Sequence, residues 1–236
     1  MKGKGFTFKK FYIDHSRCAM KVGTDGTLLG AWAEVPAEGR ILDIGTGTGL
    51  IAIMVAQRTS SARITAIDID PDCIVQARDN VTTTEWYERI EVVHSSLQEF
   101  ASAEPFDMII SNPPYFVDSL LSPDASRTTA RHTETLSFTD LVQGVERLLA
   151  PDGRFTLILP PAEIAQFLTA ARGRLYIQRR CEVWTTPQSG VRRIMAELSF
   201  TPNASPKSEK LIIEEHGPQG YSEEYKRLTR DFYLKF

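Results

Sequence analysis

The chain has 236 residues, of which 42% are hydrophobic, 24% charged and 9% aromatic, with 15 glycines and 13 prolines. That balance excludes a disordered, collagen-like or low-complexity chain and supplies apolar material for a substantial core. The formal net charge of −3 is unevenly spread, since residues 1–21 hold Lys2, Lys4, Lys9, Lys10, Arg17 and Lys21 against Asp14 alone.

A basic arm on an acidic body is the pattern of an extension that meets phosphate, or of a solvated tail. Lys9, Lys10 and Arg17 are its candidate phosphate contacts. No apolar run approaches the roughly 20 residues of a membrane span. The basic start lacks the apolar core of a secretory signal. Cys18, Cys73 and Cys181 are far apart with no CxxC, which argues against a disulfide framework or a metal site and for a reducing, cytoplasmic setting.

In chain order, a helix is expected over 22–33, with Thr24 or Asp25 as N-cap and Leu28, Leu29 and Trp32 as its apolar stripe. Arg40–Ile44 reads as a short buried strand, 45–49 as a tight turn and Leu50–Arg58 as an apolar helix. A second strand runs over 64–69. Asp70 then caps a helix whose first position is Pro71, where a missing N–H costs nothing. Strands follow at 90–94 and 106–110. Ser137 with Asp140 opens a helix that stops before Pro151-Asp152-Gly153. A strand at 155–159 and a helix near 162–171 complete the alternation. Its strands are continuous apolar runs, as in a parallel sheet covered on both faces. Stretches 176–186 and 191–200, joined by Pro187-Gln188-Ser189-Gly190, read as a closing antiparallel hairpin. A short apolar run at 211–213 and a helix over 222–234 end the sequence. Residues 116–135 have no periodic pattern, and a loop of that length in a compact domain is usually functional. Its Arg127, Arg131 and His132 are candidate phosphate contacts, with ordinary ion pairing as the plain alternative.

Three motifs carry chemistry. Asp43-Ile44-Gly45-Thr46-Gly47-Thr48-Gly49 joins a strand to a helix. Glycines there permit a sharp turn and close ligand approach, and the helix start offers free N–H groups. The spacing is G-x-G-x-G rather than the G-x-G-x-x-G of dinucleotide enzymes. With an acid two residues upstream, that form resembles the S-adenosylmethionine loop of class I methyltransferases, whose ligand brings a carboxylate and a sulfonium but no pyrophosphate. Asp68, at the tip of the second strand, can accept ribose hydroxyls of an adenosine, a device NAD enzymes share. Asn112-Pro113-Pro114-Tyr115 follows an apolar strand directly and resembles the (Asp/Asn)-Pro-Pro-(Tyr/Phe) signature of amino-group methyltransferases. An amino nitrogen conjugated to a ring is a poor nucleophile. The Asn112 oxygen and the Pro113 carbonyl can accept its two N–H bonds, localise its lone pair and aim it at a methyl carbon. The prolines fix the backbone and remove a competing donor, and Tyr115 offers a face for stacking.

The segments FTFKKFYIDHSRCAMKVGTDGTLLGAW, LDIGTGTGL and IISNPPY, and more weakly ARHTETL and YSEEYKRLTRDFYLKF, resemble the tRNA1(Val) (adenine(37)-N6)-methyltransferase family. The resemblance implies an α/β, Rossmann-like class I methyltransferase. Its sheet would be seven-stranded and mostly parallel, with helices on both faces and an antiparallel C-terminal hairpin. It also implies S-adenosylmethionine as cofactor and N6-methylation of an adenine flipped out of tRNA. Residue by residue, Asp43, Gly45, Thr46, Gly47 and Gly49 match the cofactor loop, and Asp68 with Ile69 the ribose acid and its neighbour. Lys21, Gly23, Thr24 and Asp25 match the segment over the methionine end, and Asn112, Pro113, Pro114 and Tyr115 the catalytic tetrapeptide. The adenine-binding Asp after the third strand is replaced by His94-Ser95-Ser96-Leu97, which leaves Ser96 as a weaker acceptor.

The organisation expected is a basic extension over 1–35, a methyltransferase unit over 36–200 and a C-terminal strand and helix over 201–236. The protein is expected to act as a cytoplasmic monomer, with tRNA as partner and no membrane or obligatory protein partner. The enzymatic alternative is a protein glutamine N5-methyltransferase acting on release factors, which shares Asn-Pro-Pro-Tyr. Such enzymes carry a separate helical N-terminal domain, and only a short stretch precedes the first strand here. A non-catalytic tRNA-binding protein is the other alternative, against which the intact motifs speak.

Overall fold

The computed structural model describes residues 5–18, 20–114, 136–215 and 217–236. The unpatterned stretch 116–135, with Arg127, Arg131 and His132, lies outside the described residues, as does Tyr115.

The basic start is an antiparallel hairpin, β1 (Gly5–Thr7) and β2 (Tyr12–Asp14), where no element was expected. There follow α1 (Thr24–Trp32), β3 (Arg40–Ile44), α2 (Leu50–Arg58), β4 (Arg63–Asp68), α3 (Pro71–Thr82), β5 (Ile90–His94) and β6 (Phe106–Ser111). Beyond residue 135 come α4 (Phe138–Leu148), β7 (Leu149–Leu159), α5 (Pro161–Ala170), β8 (Tyr176–Trp184), β9 (Val191–Ser199), β10 (Lys207–Ile212) and α6 (Glu223–Thr229).

The sheet runs β10-β8-β9-β7-β6-β3-β4-β5. The expected seven strands are all there, with β9 antiparallel to both β7 and β8. An eighth strand, β10, is added parallel to β8 at the edge. Its sequence, KSEKLI, has the charged composition with which an edge strand discourages further pairing, and so carries little apolar signal.

The pleat divides the apolar side chains between two layers. Ile41, Ile64, Ala66, Met108 and Ile110 join α1, α2 and α3 and the hairpin residues Phe8, Phe11 and Ile13. Leu42, Ile44, Ile67, Ile109 and Leu157 face α4 and α5.

Local chemistry set most boundaries as expected. Asp70 accepts from the Asp72 amide (2.9 Å), with Pro71 at the first helical position. Ser137 and Asp140 form a capping box on α4. Two expectations are corrected. The N-cap of α1 is Gly23, with no side-chain cap bond, rather than Thr24 or Asp25, because Asp25 instead reaches Arg193 (2.7 Å). The last helix ends at Thr229 instead of near Leu234, because the Phe232 and Tyr233 amides both turn back onto the Thr229 carbonyl (2.9 and 3.1 Å).

Candidate active site

The glycine loop leaves the carboxyl end of β3 and enters α2. Gly45, Gly47 and Gly49 have φ of +70°, +54° and +81°, a region L side chains avoid. The Gly45 and Thr46 amides bond to the Ile67 carbonyl of β4 (2.9 and 3.0 Å), and the Gly47 amide to Asp68 Oδ2 (2.8 Å). A Cβ built on Gly45 or Gly47 meets no atom within 4 Å, so both face open space. The helix that follows has no side-chain cap, which leaves its first turn to a ligand.

Asp43 is fully buried beneath this loop. Its Oδ2 accepts from Thr46 Oγ1 (2.6 Å), and its Oδ1 is buried with no partner among the described residues. Burial pushes its pKa up to about 7. The Thr46 hydroxyl opposes the rise, the Asp68 charge adds to it, and the Ala52 amide opposes it slightly. Asp68 is raised too, chiefly by burial, with the Asp70 and Gly47 amides pulling it back. Its Oδ1 accepts from the Asp70 amide (2.9 Å), so this carboxylate fixes the loop while sitting at the tip of β4. Beside it Ile69 is 48% exposed, an apolar side chain left bare at the carboxyl edge of the sheet.

Asn112 follows β6 directly, next to the loop, because Ser111 pairs with Ile44 and donates to its carbonyl (2.9 Å). Its Oδ1 is buried and has no partner among the described residues. Pro113 is buried and Pro114 exposed. Two unsatisfied side-chain oxygens thus stand at the ends of adjacent strands. One suits a cation, the other an N–H donor, and a buried acceptor left unpaired is costly.

The remaining predicted residues are placed less uniformly. Lys21, Gly23 and Thr24 are exposed at the start of α1. That helix end adjoins the start of α2, just after the glycine loop, since a Cβ on Gly26 would lie 3.3 Å from Leu50 Cδ2. Ser96 is buried but committed to its own turn, accepting from the Glu99 amide and donating to Glu99 Oε2 (both 3.2 Å). Lys9 points to the C-terminal segment, donating to the Arg230 and Phe236 carbonyls (both 2.5 Å). Lys10 is exposed, and Arg17 lies 3.9 Å from Asp79 with both side chains exposed.

Two sets of contacts escaped the sequence. Asn80 of α3 donates to the Thr48 carbonyl of the loop (2.9 Å) and the Asp14 carbonyl of β2 (2.8 Å), and accepts from the Asp14 amide (3.0 Å). The available signal was a polar pair four apart, Gln76 and Asn80, on the helix face that is buried. Arg193, which follows the hairpin turn and reads from the sequence as an RNA contact or a solvent-facing strand end, instead ties the start of β9 to Asp25.

A parallel sheet with an antiparallel β9, a glycine loop between β3 and α2, an acid at the tip of β4 and Asn-Pro-Pro after β6 define a class I methyltransferase. The methyltransferase small domain model matches residues 18–160, more than half of the chain. Among solved structures, a predicted O-methyltransferase from Agrobacterium tumefaciens shares the fold with a TM-score of 0.69 at 23% identity, over 88% of this chain and 96% of that one. A tRNA1(Val) (adenine(37)-N6)-methyltransferase from Parabacteroides distasonis is 48% identical over 98% of each chain. One of the same name from Tolumonas auensis is 45% identical over 100% of this chain and 99% of its own. The chain belongs to the tRNA1(Val) (adenine(37)-N6)-methyltransferase family, within the methyltransferase small domain group.

Proposed function

We propose that the protein transfers a methyl group from S-adenosylmethionine to the exocyclic N6 of an adenine in tRNA, adenine 37 of tRNA1(Val) being the position printed in its relatives' names. The observation that carries this reading is the buried, unpartnered Oδ1 of Asn112, one strand from the cofactor loop.

The residues present fit the cofactor. Asp43 Oδ1 would receive its ammonium group, the bare directions of Gly45 and Gly47 leave it room, and Asp68 has lone pairs left for ribose hydroxyls. Ile69 offers its exposed apolar surface to the adenine ring, while Ser96 is a weak candidate for the adenine N6 because Glu99 already occupies it. Bound there, the cofactor supplies an electrophilic methyl group on a sulfonium.

The chain itself does the rest. Asn112 Oδ1 and the Pro113 carbonyl accept the two N–H bonds of the target amine, which turns its lone pair out of conjugation with the ring. Pro113 and Pro114 hold that geometry with φ already fixed. Tyr115 would stack on the base. No strong base is needed, because the amine proton leaves once the nitrogen carries the methyl group.

In the same reading residues 1–35 are an extension on the cofactor side, 36–200 the methyltransferase unit and 201–236 its C-terminal extension. The enzyme works as a cytoplasmic monomer, with Lys10, Arg17, Arg127, Arg131 and His132 as its RNA contacts. Lys9 contributes by holding the C-terminal segment in place. The glutamine alternative loses ground, since the relatives named as tRNA enzymes match this chain over nearly its whole length.

The test is nucleoside mass analysis of unmodified tRNA incubated with the protein and S-adenosylmethionine. The wild type should yield N6-methyladenosine. Asn112→Ala should lose a factor of about 10²–10³ in kcat, the usual cost of one aligned polar contact to the reacting group, with cofactor affinity unchanged. Absence of the nucleoside with wild type, and methylation of a release factor in its place, would reverse the assignment.

A further inference from the structure

Away from the glycine loop, a groove of about 780 Å³ opens between β1, the start of α1, the ends of β8 and β9 and the C-terminal segment. The cofactor reading touches it only at its near end, where Thr24 and Asp25 line it. Its floor is apolar, with Val183 and Ile213. Its walls carry Tyr221, Tyr233 and Phe236, and Arg192 and Lys235 stand exposed along it.

The topology puts this groove on the catalytic edge of the sheet. β9 is antiparallel to β7, so its first residues lie where β7 ends, with Ile194 opposite Leu159. Leu157 of β7 is opposite Ser111, the residue before Asn112. From the end of β6 to the start of β9 is therefore two strand spacings, roughly 10 Å, a span that nucleotides next to a flipped base cover. At its near end, Asp25 bonded to Arg193 stands between the groove and the start of α2.

We propose that this groove takes single-stranded nucleotides flanking the target adenine, their bases on the aromatic wall and their phosphates on Arg192 and Lys235. The inference rests on the methylation reading above and deepens it. The chemistry points to nucleic acid on two grounds. Tyrosine and phenylalanine faces accept any base by stacking, and the paired basic side chains meet a charged backbone. The acids that line the groove offset this charge only in part, since Asp25 is engaged by Arg193 and Glu214 stands alone against Arg192 and Lys235. Gln219 itself holds φ of +65°, the one positive value outside glycine among the described residues, and such strain concentrates at binding sites.

The experiment compares wild type with an Arg192→Gln, Lys235→Gln double variant, whose exposed positions spare the fold. The variant's KM for tRNA should rise about tenfold, with kcat at saturating tRNA and cofactor affinity unchanged. The slope of log KM against log salt should become shallower by about 0.7 for each phosphate that is no longer neutralised, a readout that a merely structural role would not move. Photo-crosslinking from thiouridine placed beside the target adenine should label the peptide spanning 219–236. An unchanged KM and salt slope, with no label in that peptide, overturn the groove and leave it to a protein partner. Wild type that makes no N6-methyladenosine overturns the methylation reading first, so the two failures are distinguishable.

Discussion

At Asp43 the protein buries a carboxyl completely under its own glycine loop, and the cost is readable in its titration. Its pKa rises to about 7 in the folded chain, against about 3.9 unfolded. The folded state then binds more protons than the unfolded one between about pH 4 and 7, so stability falls as pH rises across that window and levels off above it. At about 1.4 kcal/mol per unit the effect is on the order of a few kcal/mol. Asp43→Asn should flatten this slope and raise the Tm of the cofactor-free protein at pH 8, measured by thermal melts from pH 5 to 8. The same change should weaken S-adenosylmethionine binding by calorimetry, because the orphan Oδ1 awaits a cation. If Asp43→Asn leaves the pH slope in place, the carboxyl is not the group being titrated. Stability and binding are opposed at this residue: its buried charge costs stability, and a cationic ligand group would satisfy it.

At the scale of elements, the glycine loop and the helix caps make separable predictions. A Cβ on Gly47 meets no protein atom, yet its φ is +54° and its open side is where we propose that the cofactor lies. Gly47→Ala should therefore cost only about 1–2 kcal/mol of stability while raising the KM for S-adenosylmethionine at least about tenfold. Equal losses in melting temperature and no change in KM would mean the open space is not the ligand's. Ser137→Ala removes one arm of the capping box on α4. It should lower stability by about 1 kcal/mol, or Tm by about 2–4 °C, without touching either KM. These devices were legible because each is local: Ser137 with Asp140, Asp70 with Pro71, and glycines after an apolar strand announce themselves within a few residues. β1 and β2 were not legible, and β10 only through the apolar run at 211–213, because each is stabilised from far away. β2 is held by Asn80 of α3, and β10 by its register against β8. In the site, Asp43, Asp68 and Asn112 could be named from motif and strand end alone. The Asp25–Arg193 pair could not, since its members are 168 residues apart.

Over the whole molecule, the hairpin at the start of the chain and the segment that ends it form one aromatic layer. Phe8 is 1% exposed, and its ring lies 4.6 Å from that of Phe11 and 5.9 Å from that of Tyr233. Tyr233 in turn meets Phe236 at 5.6 Å, and the Lys9 amide donates to the Phe232 carbonyl (2.8 Å). Phe8→Ala should cost about 3–5 kcal/mol by leaving a cavity in this layer, a fall in Tm of roughly 10 °C. The loss of protection from hydrogen exchange should spread through 5–14 and 221–236 together. Protection lost in only one of the two segments would mean that they are not one cooperative layer.

The union of these two segments also sets a timetable. As the chain leaves the ribosome at about 5–20 residues per second, Phe8 emerges more than two hundred residues ahead of Tyr233. One side of the hairpin thus waits some tens of seconds without its partner, while the glycine loop and the strands around it can already assemble. The nascent enzyme has its cofactor cleft before its aromatic layer closes, and the groove we assign to RNA is completed only with that last segment.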